Sequence, residues 1–304
     1  MVRIRDLGEI GLIERAARNL RLDKTVIKGA GDDAAVIRWT RDKYLLFACD
    51  MIVEDVHFRR QDATPYQIGW KALARNLSDI AAMGGVGRYA VVSAGLDPEA
   101  PVSLADGIWK GLNAIAKRFG VSIVGGDTVR SKKLILDVSL IGEVKKNNLV
   151  LRGGAKPGDA ILVTGPLGGS IKKKHLSFVP RVKEAGQLVR NFKINSMIDI
   201  SDGLVLDLRR ILAASGTGAR IYESLIPISG EATSFMRAIS DGEDFELLLT
   251  MSAPDARRLL KTAPAKIRPA PILIGEITGR GRGLVLVRKD GREERLKPKG
   301  YVHF

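Results

Sequence analysis

Cysteine is nearly absent from this 304-residue chain: Cys49 stands alone, so no intrachain disulfide framework and no multi-cysteine zinc site can form. Histidine is scarce as well, and His57, His175 and His303 include no pair with metal-ligand spacing. Aromatic residues make up 5% of the chain and do not alternate with basic ones, which argues against a base-stacking surface. No apolar run approaches the roughly 18–20 residues of a membrane span. The first residues, Met1-Val2-Arg3-Ile4-Arg5-Asp6, enter charged sequence with no secretory apolar stretch behind them. A Walker A sequence is missing, which excludes a P-loop kinase. The expectation is a cytoplasmic protein with neither a membrane nor a nucleic-acid partner.

What is present is an ordinary globular composition, 45% hydrophobic and 27% charged, with a formal net charge of +15. The basic excess is diffuse apart from Lys172-Lys173-Lys174 and the stretch from Arg280 to Lys299, and it reads as a solvated surface. Strand and helix signals alternate. Ile10, Ile13, Ala17 and Leu20 predict one face of a helix over 6–20, and a second helix over 66–83 closes at Gly84-Gly85. Ser103 is the expected cap of a third, which stops at Gly120. Apolar runs at 44–49, 88–96, 121–124, 134–144, 160–164, 245–250 and 284–287 predict strands. A helix over 204–214 ends before Gly216. The polar stretch Lys145-Lys146-Asn147-Asn148 marks the expected boundary between two mixed α/β domains, 1–147 and 148–304.

The aspartates carry the chemistry. Asp32 and Asp33 sit in Gly29-Ala30-Gly31-Asp32-Asp33-Ala34-Ala35, Asp50 ends an apolar run, and Asp79 interrupts an apolar helix face. Asp127 follows two glycines, and Asp199 and Asp202 bracket Ile200-Ser201 before a helix. Buried carboxylates are costly unless paired or metal-bound. Several in one place raise each other's pKa unless cations neutralise them. An all-oxygen ligand set points to Mg²⁺ rather than zinc, and Mg²⁺ on aspartates points to a phosphate-bearing substrate. Each acid alone also has a plain structural reading: a turn for Asp32 or Asp33, a surface charge for Asp79, a helix-start acid for Asp202. Two segments offer N–H groups to a phosphate: Gly125-Gly126-Asp127-Thr128, and Ser201-Asp202-Gly203 at a helix start. His57 is a candidate donor to a phosphate, and Cys49 reads as packing.

Seven ordered blocks together resemble the thiamine-monophosphate kinase family of the AIR-synthetase (PurM-like) superfamily over nearly the whole chain. They are 31–35, 50–58, 76–84, Gly125-Gly126-Asp127-Thr128, 199–204, 242–247 and Gly300-Tyr301-Val302-His303-Phe304. The resemblance implies a PurM-like N-terminal domain, a C-terminal α/β sandwich domain and a homodimer in which N-terminal strands pair across the two-fold. It implies direct in-line transfer of the γ-phosphoryl group of ATP to thiamine monophosphate at a multi-Mg²⁺ site. By the same resemblance Asp33, Asp50, Asp79, Asp127 and Asp199 are the catalytic Mg²⁺ ligands, with Asp202 as a further one. Gly126, Asp127, Arg152 and Ser201 fall on the ATP side, and His57, Glu243 and Tyr301 on the thiamine monophosphate side. The chain departs from the family's pattern at Ala48-Cys49, where two hydroxyl residues are usual, at Asp55 and Asp241, where glycine is common, and in the segment 165–174. Two other activities stay open here: a carbonyl-activating ligase of the AIR-synthetase type, and a basic nucleic-acid binder.

Overall fold

In the computed structural model, which describes residues 2–267 and 269–302, the chain builds two sheets in succession. The first part runs α1 (Ile4–Ala17), β1 (Val26–Lys28), β2 (Ala35–Arg38), β3 (Lys43–Val53), α2 (Pro65–Ala82), β4 (Val86–Leu96), α3 (Val102–Phe119), β5 (Ser122–Arg130) and β6 (Ile135–Lys145). Its six strands lie in the order β1-β2-β3-β6-β4-β5, antiparallel except for the parallel β4–β5 pair. The second part runs β7 (Asp159–Val163), α4 (Val182–Asn191), β8 (Ser196–Asp199), α5 (Leu204–Ser215), β9 (Thr217–Tyr222), α6 (Phe235–Ala238), β10 (Leu247–Ser252), α7 (Ala253–Lys266), β11 (Ile272–Gly279), β12 (Leu284–Val287) and β13 (Glu293–Arg295). Its seven strands lie in the order β13-β12-β9-β11-β7-β10-β8, with only β12–β9 parallel.

Helix α2 is the element that positions the site, and its sequence specifies it closely. Thr64 and Gln67 cap its start reciprocally and Pro65 occupies the first turn, where a missing N–H costs nothing. Gly84 takes φ +75 just beyond its end. Two glycines then let the helix lie unusually close to α3. A Cβ on Gly69 would sit 2.0 Å from the Ile108 carbonyl oxygen, and one on Gly111 would sit 1.9 Å from that of Tyr66. Leu73, Leu77 and Ile80 bury completely in the first core, beside Leu46, Leu136 and Leu140. The end of the helix, Ala81 and Ala82, joins a separate cluster with Leu162, Leu188 and Leu249. One helix thus packs against both halves, burying apolar surface that contributes about 25 cal/mol per Å².

Three sequence expectations shift here. Ser103 lies inside α3, whose N-cap is Pro101 with no side-chain capping bond. Asp50 falls within β3, opposite Val138 of β6, because pairing with β6 carries the strand on to Val53. The first helix ends at Ala17, is kinked at Gly8 and buries none of its side chains; Ile10 and Ile13 remain 59% and 51% exposed. Its apolar spacing is helical, but among the described residues nothing packs over Ile10 and Ile13 closely enough to bury them.

Candidate active site between the two sheets

Asp33, Asp79 and Asp199 arrive from three separate places and meet. Asp33 sits in the loop before β2, Asp79 on the last turns of α2, and Asp199 at the end of β8. One carboxylate oxygen from each lies within 4.8 Å of the others. The Asp33 side chain is fully buried. Its Oδ1 accepts from Arg152 Nη2 at 2.7 Å, while its Oδ2 is buried with no hydrogen-bond partner. Asp199 Oδ2 accepts from Ser78 Oγ at 2.6 Å. Burial pushes all three carboxyls up. Repulsion from Asp50, Asp199 and Asp33 adds to the rise at Asp79. Neighbouring Asp32, raised to about 6 by burial and by the Asp33 charge, accepts the Arg152 backbone N–H.

Asp50 borders this group. Even-numbered positions of β3 (Leu46, Ala48, Ile52) face the core, so Asp50 points inward at α2. Arg75 donates to it through Nε at 3.1 Å and Nη2 at 3.3 Å. Cys49 faces the other way, with Sγ donating to Asp137 at 3.3 Å and accepting from Ser139 at 3.4 Å, and burial pushes the thiol up. It cannot replace a hydroxyl ligand beside Asp50.

Lys71, Arg75 and Asp79 follow one another at intervals of four, which puts them on one stripe of α2. Lys71 is wholly buried, and its Nζ meets three groups: the His57 carbonyl at 2.7 Å, His175 Nδ1 at 2.8 Å and Glu243 Oε2 at 2.5 Å. Burial raises the Glu243 pKa, but the His175 contact and the Lys71 and Arg75 charges outweigh it and hold the group at about 2. Glu243 also sits at φ +59, a conformation that costs a non-glycine residue energy. Its N–H donates to the Ser201 carbonyl at 2.7 Å, so the loop 240–246 is pinned against 200–202.

The other expected residues fall around this centre. His57 Nδ1 accepts the Val53 N–H at 3.0 Å, which leaves the ring proton on Nε2. Asp202 pairs with Arg210, and its carbonyl accepts the Tyr301 N–H at 3.1 Å, seating Tyr301 beside the α5 start. The N–H groups of Ser201, Asp202 and Gly203 all donate to Asp207 Oδ2, so the helix start expected to hold an anion is already filled. Burial lifts Asp207 to about 7. Asp127 stands apart from the three clustered carboxylates, on exposed edge strand β5, where its Oδ1 accepts the Thr128 N–H. Gly126 has a packing reason of its own: a Cβ there would lie 1.8 Å from the Val92 carbonyl oxygen. His303 and Phe304 lie outside the described residues.

Sequence reasoning missed Lys71, Arg75, His175 and Asp207. The first two were readable as charges spaced by eight and four from Asp79; the others have no local signal.

The AIR synthase related protein N-terminal domain matches residues 31–144 and the corresponding C-terminal domain matches 156–296. With a carboxylate cluster where the two parts meet, the chain belongs to the AIR synthase related class. Its relatives narrow that class. A thiamine-monophosphate kinase from Rhodopirellula baltica is 38% identical, with 91% of this chain and 92% of that protein covered. The Bacillus subtilis thiamine-monophosphate kinase is 33% identical, with 98% and 100% covered. A solved structure, "AaThiL complexed with AMPPCP and TMP", is 29% identical with a TM-score of 0.85, covering 100% of this chain and 99% of that one. This chain belongs to the thiamine-monophosphate kinase family.

Proposed function

We propose that the chain transfers the γ-phosphoryl group of ATP to the phosphate of thiamine monophosphate, giving thiamine diphosphate and ADP. The observation that carries this reading is the Asp33–Asp79–Asp199 group, three carboxylates within 4.8 Å in a chain of this family. An all-oxygen donor set suits Mg²⁺, and the buried, donorless Asp33 Oδ2 suits a cation. Asp50 and Asp202, each paired with an arginine, are read as further ligands that border this group. AMPPCP, an ATP analogue, and TMP bound to the similar AaThiL support this donor and acceptor.

In the reaction a bond forms between an acceptor phosphate oxygen and the γ-phosphorus. The bond from that phosphorus to the bridging oxygen of ADP breaks, and no phosphoenzyme or water takes part. Bound Mg²⁺ supplies the screening that lets two anions meet and stabilises charge on the transferring group. The acceptor oxygen is already ionised near neutral pH, so the site needs no strong base. Arg152, Ser201, Gly126 and Asp127 serve the nucleotide side. His57 donates from Nε2 toward the acceptor, Tyr301 offers a ring to the aminopyrimidine, and Glu243, held ionised, favours the thiazolium cation.

We read residues 1–147 as the nucleotide-binding, metal-binding and dimerising domain and 148–304 as the second domain. Phe47, Met51, Tyr89 and Val91 stand 47%, 50%, 50% and 41% exposed on the outer face of the first sheet, which favours a homodimer closed over that face. An ATP-consuming kinase fits the cytoplasm. Among the described residues no helix is long and apolar enough to cross a membrane. Purified protein with Mg²⁺, ATP and thiamine monophosphate is expected to form thiamine diphosphate. Formation of none, with turnover of a formylglycinamidine substrate instead, reassigns the chain to carbonyl activation.

A further inference from the structure

Arg75 is a cation whose partners do not account for it. Asp50 takes its Nε and Nη2, whereas Nη1 is buried with no hydrogen-bond partner. Glu243 Oε1 lies 3.7 Å from Nη1, beyond hydrogen-bonding length. A buried donor left unmet carries a desolvation cost, so a site that keeps one favours an acceptor that arrives with a ligand.

The neighbouring cations are differently engaged. Lys71 has its three N–H directions occupied by the His57 carbonyl, His175 and Glu243. Arg210 is divided between Asp207 and Asp202. Arg152 Nε is also buried without an acceptor, but Arg152 stands at Asp32 and Asp33, on the nucleotide side. Arg75 faces Glu243 instead, one helical turn from Asp79, which is about 6 Å along the axis. Its guanidinium is recessed, while Asp50 and Glu243 beside it keep 25% and 20% of their side-chain surface, so the recess opens outward.

We propose that Arg75 binds the acceptor's phosphate, a phosphomonoester dianion, through its free Nη1 edge. Asp50 orients the guanidinium fork for that contact, and a fixed protein cation meets the acceptor while the carboxylate group serves the donor. A planar, permanently charged fork suits a phosphate better than an ammonium does. The assignment rests on the kinase reading above and deepens it with one residue.

The test compares binding of thiamine monophosphate and unphosphorylated thiamine by calorimetry, alongside steady-state kinetics, in wild type, Arg75→Gln and Arg75→Lys. In folded Arg75→Gln the preference for the phosphorylated ligand falls by about tenfold or more. KM for thiamine monophosphate rises to match, while KM for ATP stays within about twofold. Arg75→Lys, which keeps the charge and loses the fork, retains part of the preference. An unchanged preference in Arg75→Gln overturns the assignment. Should that variant not fold, Arg75→Lys decides alone: wild-type preference overturns the assignment, and a several-fold loss supports it. A wild-type protein that makes no thiamine diphosphate sinks the kinase reading instead, so the two failures are distinguishable.

Discussion

Two groups of buried carboxylates lie where the halves of this molecule meet, and they are compensated in opposite ways. Glu243 and Glu246 are surrounded by cations. Glu246 receives Arg181 through two contacts at 2.7 Å, Lys174 at 2.8 Å and the Thr164 hydroxyl at 2.8 Å. Despite burial, both glutamates are held below the usual carboxylate range. Asp33, Asp79 and Asp199 share Arg152 and the Ser78 hydroxyl; burial carries all three upward, and repulsion from neighbouring carboxylates adds to the rise at Asp79 and Asp199. Burial is similar in both groups; what differs is whether the chain supplies its own positive charge. A group left short of it is suited to a metal cation from solution, whereas Glu246, with both oxygens taken by donors of its own chain, is suited to holding loops in place.

The largest effect should come from breaking the short-changed group. Asp79→Asn is expected to lower thiamine diphosphate formation by about a hundredfold or more, as loss of a metal-holding, charge-stabilising group does. Its ion-free stability in urea should be no lower than wild type, because one repelling charge is gone. A destabilised variant with normal turnover would place Asp79 in the saturated class. Glu246→Gln should do the reverse. It strands Arg181 and Lys174 beside a neutral amide and should cost about 3 kcal/mol in urea unfolding, within the range for breaking a buried pair.

Mg²⁺ sharpens the contrast next. Saturating ion should raise the wild-type melting temperature by several degrees, as ligand binding to the native state alone does at about 100 times Kd. The rise should vanish in Asp79→Asn and persist in Glu246→Gln; equal shifts in all three would remove the clustered aspartates from the ion's site. The smallest effect is a pH dependence at Asp244, raised to about 6 by burial. Its folded pKa lies above its ordinary value, so the folded state holds the proton longer. Stability therefore falls as pH rises from about 4 toward 6. Asp244→Asn should flatten that limb in a pH series of urea melts.

The sequence made α2 legible because its signals are local: a Thr64–Gln67 cap, a first-turn proline and a terminal glycine. Asp33, Asp79 and Asp199 were singled out because acids at loop and helix positions beside apolar runs need an explanation. Their partners were not legible. Ser78 meets Asp199 across 121 residues and Lys71 meets Glu243 across 172, distances no local pattern encodes. Strand β8 went unread because it is only four residues long and its polar Ser196 is satisfied by Thr250 of the neighbouring β10, a partner 54 residues away. Asp50 was placed at a strand end for a related reason: the continuation to Val53 is set by β6, not by the residues around it.

The α2–α3 crossing fixes how far these side chains can reach. Because the two backbones touch through Gly69 and Gly111, no compressible layer separates them. An added methyl at either position would push α2 sideways as a rigid rod, carrying Lys71, Arg75 and Asp79 along by the same increment. Gly69 lies nearly three turns from Asp79, the acid on that stripe, yet a side chain there would detune every polar distance along α2 simultaneously. The alignment of the chemistry is therefore gauged by two missing side chains that never approach a substrate.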